Sequence, residues 1–144
     1  LTPRRLVFDT NVIIRHKMSE VPGFVSAVVL QELAAGAQDT ADVRRLGSMR
    51  AAAEDDGVLL TPDGEDWYEA GKVLNALRLG LRSHRDGYTP AIPKDEQQRL
   101  LRDVLIARSA KRINARVVTY NKGDFEKIRR FCNVQLVEPP VVFR

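Results

Sequence analysis

Cysteine is almost missing from this 144-residue chain, which holds only Cys132. One thiol can close no internal disulfide and build no thiolate metal cluster, which excludes a disulfide scaffold or a zinc ribbon and fits a reducing, cytoplasmic setting. With Phe131 and Val134 nearby, Cys132 reads as a buried residue rather than a catalytic thiol. Histidine is nearly as scarce: His16 sits in a basic segment and His84 in a loop-like one, and both read as surface residues. No His-Cys cluster is therefore available to bind a soft metal. Long apolar runs are absent too. Nothing approaches 18 residues, so neither a membrane span nor a membrane partner is expected. The opening "LTPRR" runs straight into a strand-like segment without the apolar centre of a signal peptide. There is no internal repeat and no low-complexity tract.

What is present is ordinary. Apolar residues make up 44% and charged residues 29%, as in a globular protein, and the length suits a single domain over 1–144. Lys and Arg outnumber Asp and Glu by 23 to 19, for a net charge of +4. That mild basicity permits a polyanionic partner without demanding one, and the basic residues are scattered as on solvated faces.

Five short apolar runs punctuate the chain: "RLVF" (5–8), "GFVSA" (23–27), "GVLL" (57–60), "RVVTY" (116–120) and "VQLV" (134–137), the last stopped by Glu138-Pro139-Pro140. They lack polar alternation, which is how strands buried on both faces of a parallel sheet read. Helical patterns lie between them. "SAVVLQELAAG" has Ser26 as N-cap and Gly36 as stop, and a second helix is expected over 41–55 with Thr40 before it. "DGEDWYEAGKVLNALRLG" carries apolar residues at helical spacing, and "PKDEQQRLLRDVLIARSAKRIN" begins with acids and ends with bases, as the helix dipole prefers. "DFEKIRRF" is a short helix near the end, and 82–93 reads as a loop. Strands alternating with helices imply an α/β fold, with a central parallel sheet of four to five strands and helices on both faces. Sites in that architecture gather at the carboxyl ends of the strands. Asp9 falls there on the first strand, and Asn121 and Asp124 fall just past the fourth.

Four carboxylates are then conspicuous. Glu32 is surrounded on its helix by Val28, Val29, Ala35 and Gly36, a costly place for a charge unless a cation pairs with it. Asp103 is flanked by Leu100, Ile106 and Ala107, and its neighbour Arg102 is expected to point elsewhere on the helix. Asp9 and Asp124 are each explicable as helix N-caps. Taken together, Asp9, Glu32, Asp103 and Asp124 can face one crevice, where like charges would force protonation or separation. A hard divalent ion resolves that conflict, and an all-oxygen donor set favours Mg²⁺ or Mn²⁺.

"VFDTNVII", "SAVVLQEL", "LLRDVLIARSA" and "VVTYNKGDF", in that order, closely resemble the four motifs of the PIN-domain family, many of whose compact bacterial members are VapC-type toxins of toxin–antitoxin pairs. The resemblance runs from Arg5 to about Val137. It implies a metal-dependent endoribonuclease that leaves a 5′-phosphate and a 3′-hydroxyl. By position, Asp9, Glu32, Asp103 and Asp124 match the family's acids, and Asn11, Thr119 and Asn121 match its supporting polar residues. Asp9, Asp103 and Asp124 are the implied ligands of Mg²⁺ or Mn²⁺. Single-stranded or structured RNA is the implied substrate, a cognate antitoxin the implied protein partner, and a homodimer the implied assembly. Arg15, Lys17, Arg82, Arg85 and Lys122 are candidates for phosphate contacts.

Other readings fit less well. A PIN nuclease that processes RNA without being a toxin would look the same in sequence. A response-regulator-like phosphotransfer domain needs an acceptor Asp at the end of the third strand, where Asp63 comes three residues late, and a Lys after the fifth, where there is none. A haloacid-dehalogenase-type phosphatase needs a second Asp where this chain has Asn11. An RNA-binding module without activity would have no need of four intact acids.

Overall fold

The computed structural model describes residues 5–16, 23–80 and 92–143. Most of the expected loop 82–93 lies outside these, as do Lys17, Arg82, His84 and Arg85. In chain order the elements are β1 (Leu6–Phe8), α1 (Thr10–Arg15), β2 (Val25–Ser26), α2 (Ala27–Ala35), α3 (Thr40–Asp55), β3 (Leu59–Leu60), α4 (Gly64–Gly80), α5 (Lys94–Arg112), β4 (Arg116–Val118), α6 (Lys122–Ile128), β5 (Leu136–Val137) and α7 (Pro139–Val142). Every strand pairing is parallel. β1 pairs with β4 and β4 with β5, while β2 pairs with β3. A bridge between Val7 and Phe24, and a 2.7 Å hydrogen bond from Phe24 N–H to the Leu6 carbonyl, join the two ladders. The spatial order is thus β3-β2-β1-β4-β5, within the expected four to five strands.

β1 shows why its run carries no polar alternation. Leu6 and Phe8 point into one cluster with Val12 and Val118, while Val7 points into the larger core of Val104, Ile106, Val117 and Phe125. With both faces covered, every position must be apolar. The strands also approach closely: a Cβ at Gly23 would collide with the Phe8 ring and come within 3.0 Å of the Leu6 carbonyl oxygen. Glycine is required there by space. α5 lies centrally, burying Leu100, Val104, Leu105, Ile106, Ala107 and Ala110, and it also buries Asp103.

Helix ends differ from expectation in three places. Asp39, rather than Thr40, caps α3 by accepting from Asp42 N–H at 2.8 Å. Asn121, not Asp124, holds the cap position of α6, so Asp124 sits inside the first turn with its carboxylate free of capping duty. The Pro139-Pro140 pair that ends the last strand also opens α7, because proline's fixed φ suits the first turn of a helix.

A second acid is buried away from the strand ends. Asp66, only 1% exposed, exchanges hydrogen bonds with Asp63 at the start of α4, each carboxylate accepting from the other's backbone N–H. Arg112, at the end of α5, donates to Asp66 from Nε and from a terminal nitrogen at 3.2 and 3.1 Å and reaches the Thr61 carbonyl at 2.9 Å, while Arg108 Nε lies 3.7 Å from Asp66. These contacts fix α4 against α5. Breaking such a pair strands a buried charge, although Arg112 is 39% exposed and Arg108 remains, so the cost falls below that of a fully buried pair. Arg112→Met is expected to lower the unfolding free energy by about 2 kcal/mol, read as a lower urea midpoint at unchanged slope. An unshifted midpoint would remove the pair from the account of stability.

Candidate active site

The carboxyl ends of β1 and β4 lie side by side because Asp9 N–H donates to the Val118 carbonyl at 3.0 Å. Asp9 caps α1, accepting from Thr10 N–H through Oδ1 at 2.8 Å, so its cap role is real. Its other oxygen accepts from the Thr119 hydroxyl at 2.7 Å and from Asn11 Nδ2 at 3.3 Å. Thr119, itself buried, accepts in turn from Asn121 N–H at 2.9 Å, and Asn11 Oδ1 accepts from Tyr120 N–H at 3.2 Å. Capping and site-building are therefore two uses of one side chain.

Asp9, Glu32, Asp103 and Asp124 all line one groove of about 250 Å³, together with Thr10, Asn11, Ile14, Arg99, Arg102 and Asn121. All four acids that the sequence singled out are thus brought together. Burial pushes Asp103 up to about 8, and the charges of Asp9 and Asp124 push in the same direction against Arg102. Burial also raises Asp9, although the Thr119 hydroxyl and Thr10 N–H offset part of the rise. Glu32 is held differently: the Thr10 hydroxyl donates to it at 2.7 Å and Arg102 Nε stands 3.6 Å away. Asp124 has Lys127 at 3.8 Å on the groove's outer side.

Four groove residues escape the sequence reading: Thr10, Ile14, Arg99 and Arg102. Arg102 does not point elsewhere. Arg99, Arg102 and Asp103 stand at helical spacing of three and four, the signal that would have placed all three on one stripe of α5. Thr10 was passed over as part of a helix start, and its bond to Glu32 has no local sequence cue. His16 is more than a surface residue: its ring stacks on Phe143 at 4.1 Å and 10°, and it hydrogen-bonds the Tyr120 hydroxyl. Of the candidates for phosphate contact within the described residues, Arg15 and Lys122 are both exposed.

The donors suit a hard cation. Asp103 Oδ2 is buried with no hydrogen-bond partner among the described residues, and the charges of Asp9, Asp124 and Glu32 all act on its carboxyl group. Among the described residues no three His, Cys, Asp or Glu side chains are gathered tightly enough to enclose an ion by themselves. An ion of the Mg²⁺ type needs no such cage, because it is usually bound by one or two carboxylates and keeps several waters. A soft-metal site is a poorer fit to an all-oxygen set.

Comparison with known proteins bears on family and fold. Residues 6–131 match the family model described as PIN domain. No curated protein matches the chain. Among solved structures, VapBC-1 from nontypeable Haemophilus influenzae is similar at a TM-score of 0.58 and 22% identity, over 93% of this chain and 97% of that one. VapBC2 from Rickettsia felis, bound to a DNA fragment from their promoter, gives 0.57 and 17% over 93% and 98%. FitAcB from Neisseria gonorrhoeae gives 0.52 and 19% over 93% and 97%. At these identities the likeness is one of fold.

A carboxyl group whose folded pKa lies above its unfolded value binds more protons in the native state, so metal-free stability falls as pH rises from near 4 through about 8. Asp103→Asn removes that loss. The variant is expected to melt about 5 °C higher than the parent at pH 8 in chelator, with the gap closing toward pH 4. Parallel melting curves across that range would contradict the buried charge at Asp103.

Proposed function

The chain belongs to the PIN-domain family, and we propose that it is a divalent-metal-dependent endoribonuclease serving as the toxin of a toxin–antitoxin pair. Family membership supports a hydrolase acting on nucleic acids. The observation that carries the finer reading is Asp103: a buried carboxylate with one oxygen lacking a donor among the described residues, in a groove lined by three more acids.

In this proposal Asp9 and Asp103 would hold Mg²⁺ or Mn²⁺, Asp124 would complete the site directly or through water, and Thr119 and Asn11 keep the Asp9 carboxylate in place by donating to it. Asn121 locks the Thr119 hydroxyl toward Asp9 by donating its backbone N–H to that oxygen. Glu32 would orient or deprotonate the attacking water, or help hold a second ion, and the Thr10 hydroxyl and Arg102 fix its orientation. When bound, the ion supplies Lewis-acid polarisation of the phosphate and a lowered pKa for water. Arg99 and Arg102, on the α5 side of the groove, offer cations to the phosphates of the strand.

The antitoxin is proposed because the similar structures are VapBC and FitAcB toxin–antitoxin complexes. Pairing of the chain as a homodimer and a cytoplasmic location belong to the same proposal. If the chain instead processes RNA without being a toxin, expressing it alone will not arrest growth.

Asp9→Asn and Asp103→Asn should each lower Mn²⁺-stimulated cleavage of single-stranded RNA by at least about 100-fold. Adding Mg²⁺ or Mn²⁺ should raise the melting temperature of the parent but not of Asp103→Asn. Cleavage at the parental rate by either variant would refute the assigned roles.

A further inference from the structure

Beside the acidic groove stands a group of side chains that the proposed chemistry does not use. Tyr120 lies between Thr119, which holds Asp9, and Asn121, which lines the groove. Arg15 and His16 follow Ile14, another lining residue, at the end of α1. Tyr120 is 38% exposed, and the Arg15 guanidinium lies 4.7 Å over the centre of its ring. The ring is also anchored. Its hydroxyl hydrogen-bonds His16, which stacks on Phe143, and its backbone N–H donates to Asn11.

An exposed aromatic ring held at both ends, with a guanidinium on it, gains little for stability by facing water. It does provide a flat, cationic surface of the kind on which nucleobases stack. We propose that Arg15 and Tyr120 form a nucleobase subsite, on which one unpaired base of the RNA stacks next to the phosphodiester held in the groove. The proposal rests on the nuclease reading above and adds to it a choice among substrates. Bases inside a duplex have their faces covered, so the platform selects unpaired over paired strands. Stacking reads no 2′-hydroxyl, so it does not separate RNA from DNA.

The test uses the full chain and a short single-stranded RNA carrying 2-aminopurine at successive positions, bound to the Asp103→Asn variant so that the strand stays whole. One position should show quenched fluorescence. Adding Tyr120→Leu should abolish that quenching and weaken RNA binding about tenfold. Tyr120→Phe keeps the ring but loses the bond to His16, and it should retain both signals. Arg15→Gln should weaken binding a few-fold and lessen its salt dependence. In otherwise parental protein, Tyr120→Leu should raise KM for single-stranded RNA about tenfold and leave kcat unchanged. The subsite is overturned if folded Tyr120→Leu keeps parental affinity and quenching, a result that assigns the cluster to clamping Phe143 or to a protein contact. It is equally overturned if Tyr120→Phe loses as much as Tyr120→Leu, because the hydrogen bond rather than the ring would then matter. These outcomes leave parental cleavage intact, whereas a parent that neither cuts nor binds RNA would defeat the nuclease reading itself.

Discussion

Repulsion among carboxylates is the constraint around which this molecule is arranged. Asp9, Glu32, Asp103 and Asp124 line one groove, and each is compensated to a different degree. Asp9 receives three hydrogen bonds, from Thr10, Asn11 and Thr119. Glu32 has a hydroxyl donor and an arginine, and Asp124 has a lysine at the rim. Asp103 has an oxygen with no hydrogen-bond partner among the described residues, and the remaining demand for positive charge is concentrated there. A low-dielectric setting magnifies that demand, which the protonated acid or a cation can meet.

The parallel sheet is what makes this crowding possible. Parallel strands deliver their carboxyl ends to one edge, so Asp9 from β1 and Thr119 from β4, 110 residues apart in sequence, meet without any long loop. The approach of two strand ends would leave their following backbone N–H groups unpaired. The site residues meet that need themselves: Asp9 takes the N–H of Thr10 and Thr119 takes that of Asn121. Polar groups that close the strand ends are thus the same groups that build the groove. A carboxylate directly behind the apolar run of β1 is accordingly both a helix cap and a member of the acid cluster.

Much of this was legible because it depends on local pattern. Unalternating apolar runs identified the strands, and the four acids stood out by violating the apolar faces or turns around them. Ser26 and Gly36 bounded α2 as their chemistry dictates. Less legible were features whose cause lies across the fold. Thr10 matters because Glu32 comes to it from another helix, and Arg102, adjacent to Asp103 and so expected elsewhere on α5, turns toward the groove where Glu32 meets it. Asp39 and Asn121 displaced neighbouring residues at helix ends, where several short polar side chains compete for one cap. The platform of His16, Tyr120 and Phe143 joins three distant segments, and nothing in any one of them announces it.

Two buried aspartates show how scaffold and chemistry can be told apart. Asp66 and Asp103 are both nearly shut off from water, and both meet α5. Asp66 is matched by cations: its Oδ2 accepts from a backbone N–H and two Arg112 nitrogens, and Arg108 lies 3.7 Å from its Oδ1. Such a group stabilises packing, its charge set against two arginines. Asp103 is surrounded by like charge and retains a bare oxygen, so its burial is a standing cost to the metal-free fold. A proton or a cation can meet that cost, and the proposed nuclease would use the cation. Partner accounting, rather than depth of burial, therefore separates the acid that holds two helices together from the acid proposed to take a ligand.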